Sequence, residues 1–239
     1  MNSATTLRSI ALEHPGAIRV FEQFQLDYCC GGNRPLGEAC AEKGIAAETV
    51  IAALAGALAE APAAEDFTQA TLAELIRHIV ATHHAYIRNE LPRLLAMAER
   101  VASKHGARRP EAQLVERKLA QLGEELLFHL NKEERILFPY IENLEHSQES
   151  NVAPPGACFG SLESPIRQMM FEHEGAAALL EEMRAATSGF TPWEGACPTT
   201  AGLYHGLNAF EADLHRHVHL ENNLLFPRAL ATEQQLLAA

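Results

Sequence analysis

Two stretches of this chain, HLNKEERILFP from His129 and HVHLENNLLFP from His217, share one skeleton: His-x-x-x-Glu, an apolar turn, then Phe-Pro. A four-residue step puts the His and the Glu on one helical face, and here that face is the apolar one. His129 and Glu133 fall in the stripe of Leu122, Leu126, Ile136 and Leu137, and His217 and Glu221 fall between Leu214, Leu224 and Leu225. An unpaired carboxylate in an apolar core costs several kcal/mol. A chain that buries two of them on two long helices must therefore bring partners to them.

The helices that carry these skeletons belong to a set of four. Apolar residues recur at three- and four-residue steps through Leu72, Ile76, Ile79, Ile87, Leu91 and Leu94, through Leu119 to Leu137, through Ile166, Met169, Met170, Leu180 and Met183, and through Leu203 to Leu225. Breaks are expected at Gly106 to Pro110, from Ser147 to Gly156 and from Ser188 to Pro198, with Phe-Pro closing the second and fourth helices. Long helices on short connections predict an all-α, up-down-up-down four-helix bundle over residues 68–235. An Ala-, Pro- and acid-rich linker, EAPAAEDFT at residues 60–68, sets this apart from a small helical N-terminal domain, residues 1–62, built around a Gly-rich turn. The two skeletons lie 88 residues apart and His84 lies 89 residues before His173, which suggests two helix pairs of related design.

Composition narrows the function. A formal charge of -12, with basic clusters no longer than pairs such as Arg108-Arg109, argues against nucleic acid or an anionic membrane as partner. No apolar run approaches the roughly 20 residues of a membrane span, and the N-terminus lacks a signal peptide's apolar core, so the expected location is the cytoplasm. The five cysteines (Cys29, Cys30, Cys40, Cys158, Cys197) form no disulfide framework and read as free thiols.

On the third helix His173 falls between Met169, Met170 and Ala177. A single His on an apolar face is usually a satisfied core residue, but three imidazoles and two carboxylates at similar depth are better reconciled by cations. Carboxylates and imidazoles projecting inward from four helices is how dinuclear sites are built in bundles, and an N/O donor set without thiolate suits iron or manganese. The expected division is His129, Glu133 and His84 on one metal and His173, His217 and Glu221 on the other, each Glu bridging. On the first helix the stripe favours His83, whereas the repeat spacing favours His84. The other histidines (His14, His78, His105, His146, His205, His215 and His219) fall off the stripes or near helix ends and are expected to be mostly solvated.

The run DYCCGG at 27–32, the H-x-x-x-E-E-x-I-L-F-P motif at 129–139, the Glu172-His173 pair and H-x-x-x-E-N-N-x-L-F-P at 217–227 resemble the repair-of-iron-centres proteins, a hemerythrin-like family. The resemblance spans roughly residues 5–232. It implies a non-haem di-iron centre, commonly with an oxo bridge, in a protein that restores iron-sulfur clusters damaged by nitrosative or oxidative stress. Damaged iron-sulfur proteins would be its partners and nitric oxide or dioxygen its small ligand. Carried over by position, the ligands are His84, His129, Glu133, His173, His217 and Glu221. Glu125 and Glu172 become acidic groups lining a path to the metals, and Cys29 and Cys30 a vicinal thiol pair able to pass electrons, hold iron or react with nitric oxide. Gly31 and Gly32 would let that turn reach the bundle or expose the thiols. A homodimer formed through the cysteine segment is an expectation to which no residue is assigned. Two rival readings are a hemerythrin-like sensor of nitric oxide or dioxygen without turnover, and a structural bundle without metal.

Overall fold

The computed structural model describes residues 1–60, 66–153, 156 and 159–238. Most of the expected linker, with Pro155 and Cys158, lies outside the described residues. Among those residues there is no strand, only one antiparallel bridge between Thr6 and Pro35.

Four short helices come first: α1 (Leu7–Glu13), α2 (Ile18–Gln23), α3 (Leu36–Glu42) and α4 (Ala47–Glu60). Thr6 caps α1 by accepting from the Ser9 N–H at 3.1 Å. Four long rods follow. The first, α5, runs from Leu72–Ile79 through a π turn, Val80–His84, into Ala85–His105; α6 runs from Pro110–Lys132 through a π turn, Glu133–Leu137, into Phe138–Ser150. The third, α7, is an uninterrupted helix, Glu163–Ala186, and α8 runs from Pro198–Leu220 through a π turn, Glu221–Leu225, into Phe226–Ala238. A capping box starts α5, in which Thr71 and Glu74 satisfy each other's N–H, and Asn151 in the left-handed region (φ 52°) ends α6. Residues 147–150, expected as a break, are the last residues of α6.

The Phe-Pro pairs do not close helices; each stands at the exit of a π turn. Phe138 N–H reaches back five residues to the Glu133 carbonyl, and Phe226 N–H does the same to Glu221. A proline inside a regular α-helix lacks a donor and collides with the carbonyl four residues back. Widening the turn by one residue removes that collision, and the rod continues.

The widened turn also rotates everything beyond it. Ile136 is 51% exposed, although the unbroken period placed it in the apolar stripe. Met170, on the regular α7, is exposed at the edge of its stripe as well.

The buried apolar residues form two clusters. One joins α1–α4 to the bundle half that contains Ile87 to Val101, Ala112 to Leu130 and Leu203 to Val218. The other gathers Leu72 to Ile79, Leu137 to Leu144, Leu162 to Met169 and Leu220 to Ala229. The N-terminal helices thus share a core with one end of the bundle and cover the outer face of α8, whose residues 217–226 are all buried. Between the two clusters lies a polar layer.

Candidate metal centre

The layer consists of His84 from α5, His129 and Glu133 from α6, His173 from α7, and His217 and Glu221 from α8, none more than 3% exposed. Their donor atoms form two groups, each within 4.8 Å: His84, Glu133, His217 and Glu221, and His129, Glu133, His173 and Glu221. Both carboxylates belong to both groups. The histidines therefore divide as His84 with His217 and His129 with His173, not as the sequence spacing suggested.

His84 Nε2 and His217 Nε2 stand 3.1 Å apart, as do His129 Nε2 and His173 Nε2. Glu133 offers Oε1 at 3.2 Å from His129 Nε2 and Oε2 at 3.5 Å from His84 Nε2. Glu221 offers Oε1 at 2.9 Å from His217 Nε2 and Oε2 at 3.1 Å from His173 Nε2. These Glu133–His129 and Glu221–His173 contacts are close, but their angles are not those of hydrogen bonds, and both Glu133 oxygens and Glu221 Oε2 are left without a donor.

The outer nitrogens explain why the inner ones face one another. His84 Nδ1 donates to Glu134 Oε1 at 2.7 Å, His129 Nδ1 to Glu172 Oε2 at 2.8 Å and His173 Nδ1 to Asn222 Oδ1 at 3.0 Å. A proton fixed on Nδ1 leaves Nε2 as a lone pair. Three imidazoles are thus set to present lone pairs to each other and to two carboxylates, and only cations or protons reconcile such a set. Two donors bound at about 2.1 Å and near right angles to one cation stand about 3 Å apart, which is the Nε2 spacing seen here. The residues present fit a pair of metal ions.

In the metal-free protein protons serve instead. Burial alone would lower the His129 pKa, but the Glu133 and Glu172 carboxylates outweigh it and push it up to about 10. Burial would raise Glu221, yet His217 and His173 hold it well below the usual carboxylate range. His84 is lowered by burial and by His217.

The two helix pairs are related residue by residue. Glu134 follows Glu133 and holds His84; Asn222 follows Glu221 and holds His173. The Phe138 ring stacks on His84 at 5.7 Å and the Phe226 ring on His173 at 6.2 Å, so each Phe-Pro phenylalanine shields the imidazole of its partner helix. The correspondence fails at one place. Glu172 precedes His173 and holds His129, whereas His83 precedes His84 and only stacks on His217, at 5.9 Å and 12°. No acceptor among the described residues reaches His217 Nδ1.

His83 is buried but belongs to neither donor group, and its Nδ1 lies 3.0 Å from Asp213 Oδ1. It lines a cavity of about 500 Å³ between α1–α2 and the bundle. A second cavity, about 450 Å³, opens between α6 and α7 and reaches His129, His173 and His217. Glu125 lies on its wall, exposed, accepting from Gln121 Nε2 at 3.0 Å. Glu172 is there too, ion-paired to Lys132; burial would raise its pKa, but hydrogen bonds from His129, Lys132 and Gln168 hold it at about 2.

Cys29 and Cys30 lie over α8. Cys29 is buried, its thiol 3.4 Å from Asp27 Oδ1, and its pKa is raised by the hydrogen bond with Cys30 and by burial. Cys30 is partly exposed. Gly32 is required by close approach: a Cβ there would stand 2.6 Å from the Tyr28 carbonyl oxygen. One at Gly31 would meet Asp27 Oδ2 at 2.8 Å.

His219, expected to be solvated, is 3% exposed, and burial pushes its pKa down to about 4. The N-terminal helices bury the second face of α8, which a single-stripe reading cannot register. His215 meets the same segment through Glu22 at 3.0 Å.

Residues 75–229 match the model of the hemerythrin HHE cation binding domain. The chain belongs to the hemerythrin HHE family. Outside that domain, residues 3–58 match a domain of unknown function, DUF542. Similar proteins include the iron-sulfur cluster repair protein YtfE of Escherichia coli O157:H7, 40% identical over 227 residues, and that of Yersinia pseudotuberculosis serotype IB (strain PB1/+), 39% identical over 228 residues. Each alignment covers 95% of this chain and 97% of the relative. The described helices include none long and apolar enough to cross a membrane.

Proposed function

We propose that this chain is a cytoplasmic iron-sulfur cluster repair protein holding two irons, one between His84 and His217 and one between His129 and His173, with Glu133 and Glu221 shared by both. The observation that carries the reading is the buried layer of four facing Nε2 atoms and two carboxylates, three of whose four oxygens lack a donor. The names of relatives aligned over nearly their whole length support the repair role. Residues 1–62 act as the thiol-bearing domain and residues 68–235 as the metal-binding bundle.

When bound, an oxo-bridged iron pair would supply deliverable iron and a place for nitric oxide or dioxygen to bind. The protein supplies the rest. Glu134, Glu172 and Asn222 keep three imidazoles in the ligating tautomer, while Phe138 and Phe226 exclude water from two of them. Four histidines rather than five leave a more open and labile centre than an oxygen carrier's, which suits small ligands or iron release. The cavity between α6 and α7 admits small molecules to the His129–His173 side, past the Lys132–Glu172 ion pair.

The test is to load the protein with iron, count metal per chain, record the visible spectrum, and mix it with an iron-sulfur hydro-lyase damaged by nitric oxide. About two irons, an oxo-bridge charge-transfer band and recovered hydro-lyase activity are expected. A protein that binds no iron, or binds it and restores nothing, overturns the proposal. Reversible nitric oxide binding with no repair would establish the sensor in its place.

A further inference from the structure

The two asparagines after Glu221 are buried, and they face the cysteine segment. Asn223 Nδ2 donates to the Tyr28 carbonyl at 3.0 Å and to His219 Nδ1 at 2.9 Å, and its own carbonyl accepts from Arg8 at 3.1 Å. Asn222 Nδ2 donates to the Cys29 carbonyl at 3.3 Å, while its Oδ1 accepts from His173 Nδ1 at 3.0 Å. One side-chain amide thus touches the backbone of a thiol residue on one side and an imidazole of the metal layer on the other.

The related position in the first helix pair shows what the amide adds. Glu134 accepts from His84 Nδ1, and its other contact is the Arg88 guanidinium at 2.7 Å. An ionised carboxylate can only accept, whereas an amide accepts through oxygen and donates through nitrogen. Orienting His173 requires only the acceptor. Reaching the Cys29 carbonyl requires the donor, and among the described residues it is this donor that links the cysteine backbone directly to a residue holding a layer imidazole.

The cysteine turn is also held from within. Asp27 Oδ1 accepts from the Cys30 N–H and Asp27 Oδ2 from the Gly31 N–H, both at 2.9 Å. A change at either thiol that turns the Cys29 peptide moves the carbonyl that Asn222 follows.

We propose that Asn222 is a positioning residue that couples the vicinal cysteines to the metal position built on His129 and His173. This rests on the reading that His173 ligates iron. Partners of a ligand's outer nitrogen commonly set metal affinity by about 10- to 100-fold. Coupling is reciprocal at equilibrium, so iron binding shifts the opening equilibrium of the thiol segment, through which the thiols are reached, by the factor by which that opening alters iron affinity.

The test measures alkylation of Cys29 and Cys30 by iodoacetamide, residue by residue with mass spectrometry, on the full chain with and without ferrous iron. In the wild type iron changes the rate by about 5- to 100-fold. Asn222→Asp keeps the acceptor for His173 and removes the donor to Cys29; it retains the wild-type iron count and alkylates at one rate with or without iron. Asn223→Ala loosens the same segment without touching His173 and keeps the iron dependence. Should Asn222→Asp not fold, Asn222→Ala removes the donor together with the His173 acceptor and carries the same expectation of a lost iron dependence. An iron-dependent rate of wild-type size in the Asn222 variants overturns the coupling, as does an iron-loaded wild type whose thiols react at one rate. A wild type that takes up no iron overturns the metal reading itself.

Discussion

Among the described residues no acceptor reaches the outer nitrogen of His217, and replacing His83 by glutamine supplies one. At the related position of the other helix pair, Glu172 reaches His129 Nδ1 at 2.8 Å. A glutamine has the same reach. Its oxygen would accept from His217 Nδ1, and its nitrogen would donate to Asp213 Oδ1, which His83 Nδ1 now approaches at 3.0 Å. Glutamate would bring a second carboxylate against Asp213 and is the poorer choice. Satisfying a buried N–H is worth about 1–3 kcal/mol, and each 1.4 kcal/mol is tenfold, so the iron held by His84 and His217 should leave about 10- to 100-fold more slowly. The assay is transfer of iron to an excess of a ferrous chelator, followed by absorbance. Wild type should release iron in two phases of equal amplitude, and His83→Gln should slow the fast one. A single phase in wild type, or unchanged rates in a variant that holds its full metal, would refute the reasoning.

Three further outcomes are expected. Because Glu133 and Glu221 each serve both donor groups, Glu133→Ala or Glu221→Ala should abolish binding of both irons, whereas His129→Ala should spare part of it; metal analysis distinguishes them. Cys197 occupies the N-cap position of α8, and hydrogen bonds from Thr200 bring its pKa down to about 6, while Cys29 is held well above its ordinary value. Iodoacetamide at pH 7 should therefore label Cys197 first, at a rate that halves near pH 6, while Cys29 labelling still climbs above pH 9. His219 is neutral in the fold, with a pKa of about 4 against about 6.5 when unfolded, so the unfolded chain binds more protons between those values. Stability should fall as pH drops from about 6.5 to about 4, by about 3 kcal/mol, and urea titrations should show that loss reduced in His219→Gln.

The four-helix pattern and the inward set of histidines and glutamates were legible because a helical period and a charge in an apolar stripe are local properties. The phase was not. Stripe geometry preferred His83 and buried Ile136, since it assumes 3.6 residues per turn without interruption. The π turns at Val80–His84 and Glu133–Leu137 each insert a residue, bringing His84 inward and turning Ile136 out. Phe-Pro was the available signal. A proline following an apolar turn in an otherwise unbroken pattern marks either an end or a widened turn, and the apolar residues beyond it decide for the second. The grouping of histidines was hidden for another reason: which imidazoles face each other depends on how rods cross, and spacing along the chain cannot report it. Burial of His219 depended on a second layer of helices for which α8 carries no periodic mark.

The related helix pairs also show where divergence has been placed. Each pair keeps the His, the His-x-x-x-Glu and the stacking phenylalanine, the parts that build a symmetric layer of imidazoles and carboxylates. The residues that differ are the outer partners. Glu134 corresponds to Asn222, and Glu172 corresponds to His83. Both departures replace a carboxylate that holds an imidazole, and they fall on different groups of the layer. One puts an amide where the cysteine segment docks and ties His173 to Cys29. The other leaves His217 without an acceptor among the described residues and puts His83 on the wall of the cavity under α1–α2. A layer built only to bind two irons tightly has no use for either change, because each gives up a charge-assisted hydrogen bond to a ligand. A layer that must release one iron more readily than the other, and in step with a pair of thiols, requires inequivalence of this kind.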